Sequence, residues 1–337
     1  MKYIVCERPG KFLLKEKEVP RPKVGESLLR IRKIGVCGTD IHAFGGTQPY
    51  FEYPRILGHE LAAEYVEGKA RGFRSGELLT FIPYFNCGHC IACRSGKPNC
   101  CVSMKVFGVH VDGGMSEYVV VDDKYLLKGN GLDADQLALV EPLAIAAHGI
   151  GRAGVEPGDT VLVMGAGPIG MGLIQFAQIA GGKVIVMDIN DHRLSFTRDR
   201  LSVTETLNPL KEDVMDTLQR ITQGDMPTVV IDATGNQQVM NGAFQYMAHG
   251  GRYVLVGLQK GTLSFVHPEF HKREATLMSS RNATLTDFNY VIECLKMGRI
   301  DPKKYITHRC GFDTMISTFE AWLKPGNKVI KALVEFN

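Results

Sequence analysis

Thr160-Val161-Leu162-Val163-Met164-Gly165-Ala166-Gly167-Pro168-Ile169-Gly170 is a β-branched, apolar run that enters three glycines at G-x-G-x-x-G spacing. A helical pattern continues through Ala180, and a second apolar strand, Lys183-Val184-Ile185-Val186-Met187, ends in Asp188. Glycines so spaced also punctuate ordinary turns, so context decides. Here the motif lies between a strand and a helix, with an acidic residue closing the next strand. Gly165 permits the tight turn, Gly167 lets the backbone approach a pyrophosphate, and Gly170 allows close helix-to-sheet packing. The helix opening at Pro168-Ile169 turns its N-terminus toward the phosphates. Asp188 is placed to accept from ribose hydroxyls and to repel a 2′-phosphate, which favours NAD; Arg193 keeps NADP open as the minor alternative. A doubly wound domain with no dinucleotide is the weaker reading.

Working outward, further buried-type strands at Thr228 to Ile231, at Tyr253 to Val256 and around Leu277 alternate with helical stretches. This is the βαβ rhythm of a doubly wound parallel sheet in an α/β protein. Residues 1 to about 130 have another texture. Short strands such as Leu28 to Ile34 and Tyr118 to Val121 are broken by Gly and Pro. Leu137 to Ile150 carries apolar residues at helical spacing, and Glu156-Pro157-Gly158-Asp159 is a turn before the next strand. The expected organisation is a β-rich domain over 1–135, a dinucleotide-binding domain over 136–280, and a segment 281–337 that returns to the first.

The 337 residues suffice for two domains with substantial cores. At 45% hydrophobic and 22% charged the composition is that of a globular protein, and a formal charge of +3 argues for neither nucleic-acid nor membrane partners. No run of eighteen apolar residues predicts a membrane span, and Met1-Lys2-Tyr3 opens into strand-like sequence without a signal peptide. Nine cysteines without an export signal point to metal ligation and free thiols in a reducing compartment, and thus to the cytoplasm.

Two clusters carry metal chemistry. Cys87-Gly88-His89-Cys90-Ile91-Ala92-Cys93, followed by Cys101, supplies four thiols from one loop. Four thiolates make a closed, structural tetrahedral zinc site. Cys100 competes with Cys101 as the fourth ligand, and His89 is a conceivable substitute. Cys6, Cys294 and Cys310 lack a partner pattern and are expected to be buried thiols. The second cluster combines Cys37-Gly38-Thr39-Asp40-Ile41-His42 with Gly58-His59-Glu60. A thiolate, an imidazole and a carboxylate are the ligand types of a catalytic zinc with one open position. Asp40 has two readings of equal weight, a turn or cap carboxylate and a partner for the second ring nitrogen of His59.

In combination and in this order, these elements resemble the zinc-containing medium-chain dehydrogenase/reductase family over the whole chain. The family fold is a GroES-like catalytic domain interrupted by a Rossmann domain. Glu141-Pro142-Leu143 looks like its polyol dehydrogenase branch, where a glutamate stands in place of a cysteine ligand. The resemblance implies that Cys37, His59 and Glu60 ligate zinc, while Glu141 holds a zinc-bound water or enters the shell as substrate moves. Thr39 and His42 then form a proton path, and Arg281 faces substrate hydroxyls or a carboxylate, with Lys272 and His271 as lesser anchors. One catalytic and one structural zinc, NAD, and a homodimer or homotetramer are implied. The chain departs from the family pattern at Ala63, where glycine is usual, and in a shortened Glu67-Gly68-Lys69 loop; neither carries a ligand.

The segments Cys37 to Gly46, Pro268 to Lys272 and Ser280 to Thr284 are similar to those of bacterial sugar-acid dehydrogenases of the L-galactonate oxidoreductase type. The expected substrate is therefore an aldonate or polyol, oxidised at a secondary hydroxyl. A threonine-type amino-acid dehydrogenase shares the Cys, Thr, His and Gly-His-Glu elements and is the competing enzyme. A non-catalytic, zinc-binding nucleotide sensor is the competing non-enzyme. A nucleic-acid-binding zinc ribbon is weaker, since no basic, aromatic-bearing stretch surrounds the cysteine loop.

Overall fold

The computed structural model describes residues 1–48 and 51–336. The chain forms two compact units: Met1–Glu141 with Thr284–Asn337, and Pro142–Ala283. The breaks fall after Glu141 and Ala283 rather than at residues 135 and 280. The helix Ala134–Ala138 packs on strands of the first unit, which carries the boundary past the change in composition.

Pro142–Ala283 contains a six-stranded parallel sheet. Its order is Glu205–Leu207, Lys183–Met187, Thr160–Met164, Val229–Asp232, Arg252–Leu255, Thr276–Ser279. In chain order this is 3-2-1-4-5-6, the doubly wound arrangement with its switch point beside Thr160–Met164. The central strands are covered on both faces, so they read as unbroken apolar runs. Leu162, Met164, Ile185, Met187, Val230 and Tyr253 meet in one core cluster. Register aligns Met164 with Asp232, Asp232 with Leu255, and Leu255 with Ser279. The Gly165 turn and Arg281 therefore leave the sheet at the same, carboxyl end.

The first unit is β-rich. Its seven-stranded sheet runs Leu126–Lys128, Leu78–Phe81, Glu60–Glu67, Glu26–Gly35, Lys331–Glu335, Ile306–Gly311, with Tyr118–Asp122 also on Glu26–Gly35. The two strands after residue 300 thus belong to the sheet begun by Glu26–Gly35. Gly35 pairs with Glu60 on one side and Leu333 on the other. A separate two-stranded ribbon pairs Tyr84 with Val106 and Phe85 with Lys105. Among the described residues, no helix is long and apolar enough to cross a membrane.

Candidate active site and metal centres

Cys37 precedes the helix Gly38–Phe44 as its N-cap. Its backbone N–H donates to Asp40 Oδ2 at 2.9 Å, and Gly58 N–H donates to Asp40 Oδ1 at 3.2 Å. One buried carboxylate thus ties the turn carrying Cys37 to the turn carrying His59. Asp40 Oδ1 lies 3.9 Å from His59 Nδ1, a charge contact rather than a hydrogen bond. The cap role is made directly, and the contact with His59 is electrostatic. Gly58 has φ +93°, a left-handed turn that favours glycine, and it delivers His59 and Glu60 to the head of strand Glu60–Glu67.

Ligand atoms of Cys37, His59 and Glu60 lie within 4.8 Å of one another. Gly35 makes room for this arrangement, since a Cβ there would sit 1.9 Å from Glu60 Oε2. The deeply buried Lys331 forms an ion pair with Glu60 Oε2 and donates to Val36 O at 3.1 Å. His59 Nδ1 and Glu60 Oε1 are buried without a hydrogen-bond partner among the described residues. Orphaned donors and acceptors in a core are costly. A cation bonded by Glu60 Oε1, the Cys37 thiolate and the imidazole resolves part of that cost, so the donor set fits zinc. Burial alone would push the His59 ring toward neutrality. The Cys37, Asp40 and Glu141 charges overcome it and hold the ring well above the usual histidine range.

Glu141 stands outside that three-ligand set. It lies in the first turn of the helix Val140–Ala153 and is buried. Burial pushes its carboxyl up to about 7, with His59 opposing and Glu60 adding to the rise. Tyr84 Oη donates to Glu141 Oε1. Thr39, half-buried, and His42, exposed, are one turn apart on the short helix after Cys37 and share a face. The His42 ring is held through Nδ1 by Thr47 Oγ1 at 2.8 Å.

Ligand atoms of Cys87, Cys90, Cys93 and Cys101 also lie within 4.8 Å of one another. The Cys90 and Cys93 sulfurs are 3.5 Å apart. That is far beyond a disulfide and near the roughly 3.8 Å edge of a tetrahedron with 2.3 Å metal–sulfur bonds. Cys101 is buried while Cys100 is exposed and outside the set, and His89 Nδ1 is engaged by Cys87 O. Cys101 rather than Cys100 therefore completes the four-thiol group. None of the nine cysteines is in a disulfide; Cys6 and Cys294 are buried and Cys310 half-buried.

In Pro142–Ala283, Gly165 has φ +96° and a Cβ at Gly170 would lie 1.8 Å from Gly165 O. Both glycines are required by the turn itself. Gly167 differs: a Cβ there would meet only Arg193 Nη1, at 4.0 Å. No protein atom demands glycine at 167, so the space suits a ligand that presses on the backbone, as a dinucleotide pyrophosphate does. Asp188 accepts from Ala166 N at 2.7 Å and Asn190 N at 2.8 Å, and Arg193 Nη1 lies 3.8 Å from it. Pro168 and Ile169 are half-buried at the start of the helix. Arg281 is exposed, two residues past the last strand of the sheet. Lys272 and His271 lie on the exposed helix His267–Lys272, where Lys272 pairs with Glu269.

Sequence reasoning missed Lys331, Tyr84 and Thr47. A lysine opening the apolar run Lys331-Ala332-Leu333-Val334 was a signal for the first. The other two had none.

Residues 23–131 match the family model described as alcohol dehydrogenase GroES-like domain, and residues 168–297 match zinc-binding dehydrogenase. L-galactonate-5-dehydrogenase of Escherichia coli K12 is 43% identical, over 100% of this chain and 99% of that protein. The starvation-sensing protein RspB of the same strain is 33% identical, over 100% of each. A crystal structure described as a short chain alcohol dehydrogenase (rspB) from E. coli CFT073, complexed with NADH, has a TM-score of 0.92. It is 33% identical, over 100% of this chain and 99% of that one. Likeness of this extent reaches every element that carries the two cysteine-bearing clusters and the glycine turn. The chain therefore belongs to the zinc-containing medium-chain dehydrogenase/reductase family and is an NAD-dependent dehydrogenase that uses zinc.

Proposed function

We propose that this enzyme oxidises a secondary hydroxyl of an aldonate, with L-galactonate as the model substrate, to the keto acid. The observation that carries the reading is the 43% identity, end to end, with a protein named L-galactonate-5-dehydrogenase. The cluster of buried polar side chains at Glu60, Glu141 and His59 is compatible with a hydroxyl-bearing substrate.

Cys37, His59 and Glu60 would hold the catalytic zinc, and Cys87, Cys90, Cys93 and Cys101 the structural one, two per chain. Zinc supplies Lewis acidity that lowers the pKa of the substrate hydroxyl, and NAD accepts the hydride. Thr39 takes part in removing the hydroxyl proton, and the exposed His42 passes a proton to water. Thr47 fixes the His42 ring for that task. Lys331 pairs with Glu60 and would steady that carboxylate as a ligand. Gly165, Gly167, Pro168, Ile169 and Gly170 form the pyrophosphate cradle, and Asp188, with Arg193 beside it, selects NAD over NADP. Arg281 is the proposed anchor for the substrate carboxylate.

Self-association is proposed through the edge strand Thr276–Ser279, one side of which is unpaired among the described residues. Leu277, Phe265 and Val266 are exposed in the same unit, a surface suited to a homodimer or homotetramer. Nine cysteines outside any disulfide suit the cytoplasm.

The test follows NADH absorbance with L-galactonate, the corresponding hexitol and L-threonine as separate substrates. L-galactonate should give the highest kcat/KM. Equal efficiency with the hexitol reassigns the chain as a polyol dehydrogenase, and preference for threonine as an amino-acid dehydrogenase.

A further inference from the structure

Glu141 is held by a residue that has no part in the motifs above. Tyr84 is buried, and its hydroxyl donates to Glu141 Oε1 across 57 positions of chain. The Tyr84 ring is packed edge-on against buried Phe288, with centroids 6.0 Å apart at 70°. The backbone beneath it is equally constrained. Tyr84 pairs with Val106, Phe85 with Lys105, and Phe107 N–H donates to Pro83 O at 2.9 Å. This ribbon closes the loop containing Cys87, Cys90, Cys93 and Cys101. The next residues are tied in as well: Asn86 Nδ2 donates to Cys93 Sγ at 3.5 Å, and Phe85 packs on Tyr125 at 4.7 Å.

The consequence concerns which carboxylate reaches the catalytic metal. Glu60 belongs to the cluster with Cys37 and His59, whereas Glu141 stands outside it. Both are buried and neighbour the same imidazole. A free Glu141 would compete for the open metal position that substrate must use. We propose that Tyr84 is the positioning residue that keeps Glu141 out of the resting metal shell, with the cysteine loop as its anchor. The proposal rests on the reading of Cys37, His59 and Glu60 as the zinc ligands. Tyr84 acts through Glu141.

The test uses the full-length enzyme with cobalt(II) in place of catalytic zinc, whose visible absorption reports the ligand field without turnover. Tyr84→Phe should change that spectrum, as the released carboxylate enters the shell. With any alcohol that the wild type oxidises, kcat should fall about tenfold while KM moves much less. In a Glu141→Gln background the same substitution should be nearly silent in both readouts, since a residue acting through Glu141 gives a strongly non-additive cycle. Phe288→Leu, which loosens the ring and leaves the hydroxyl, should shift the cobalt spectrum in the same direction by less. It decides the matter if Tyr84→Phe does not fold. An unchanged cobalt spectrum, or an effect of Tyr84→Phe that adds fully to Glu141→Gln, overturns the proposal. Failure of cobalt to bind at Cys37 overturns the metal reading and this proposal with it. A spectral response in an enzyme inactive on aldonates overturns the substrate reading alone.

Discussion

Lys331 and Glu60 form an ion pair in which each side chain is 1% exposed. The pair sits where Lys331–Glu335 joins Glu26–Gly35, next to the strand that Glu60 opens. Removing one charge strands the other in the core, at a cost of about 3 kcal/mol or more, while removing both is far milder. Lys331→Met in the zinc-free protein should therefore destabilise the first unit strongly. Lys331→Met/Glu60→Gln should recover most of the loss. Trp322, the single tryptophan, belongs to that unit, so urea unfolding followed by its fluorescence checks both.

Cys37 and Cys93 should fail differently. Cys93→Ser opens a closed site whose zinc contributes folding free energy, so the unfolding midpoint should drop by about 5 °C or more. Cys37→Ser should abolish turnover with a small change in midpoint. Zinc analysis should fall from two to one per chain in each case. Two zinc ions retained by either variant would contradict the assignment.

Asp188→Ala should shift cofactor choice. The wild type should prefer NAD, and the variant should lose roughly tenfold or more of the NAD/NADP ratio of kcat/KM. Asp188 also accepts from Ala166 N and Asn190 N, so some stability is lost too. The ratio, rather than the rate, is the readout.

Arg281→Ala should weaken turnover of L-galactonate by ~10²-fold if a charge-assisted bond to the carboxylate is lost. The uncharged hexitol should be affected far less. Equal losses on the two substrates would remove Arg281 from carboxylate recognition.

Asp135 gives a pH signature. Hydrogen bonds from Arg309, opposed by burial and helped by Lys33, hold its carboxyl down at about 2. A depressed carboxyl stabilises the fold above its unfolded pKa, about 3.9, and loses that contribution as pH falls through the folded value. Asp135→Asn should be less stable than wild type at neutral pH. The gap should close between pH 4 and pH 2, as read by Trp322 fluorescence in urea at each pH.

The glycine turn, its flanking strands and the four-cysteine loop were legible because their chemistry is local. Spacing alone states what Gly165, Gly170 and Cys87 to Cys93 must do. Cys37 and His59 were legible through ligand type, with Asp40 tying their turns together in a way that two sequence readings had kept apart. Tyr84 and Lys331 were not legible, since each acquires meaning only from a partner far along the chain: Glu141 for one, Glu60 and Val36 for the other. The end of the first unit at Glu141 was displaced for the same reason. Composition changes where a helix begins, whereas membership follows what the helix packs against.

The placement of Lys331–Glu335 between Glu26–Gly35 and Ile306–Gly311 has a consequence for biosynthesis. Glu60 is translated long before its counter-ion, and all of Pro142–Ala283 is made in between. The dinucleotide unit is contiguous and able to fold as it emerges, while the other unit waits with a gap in its sheet. The sheet that Glu60 opens thus cannot be completed until the strand bearing Lys331 has been synthesised.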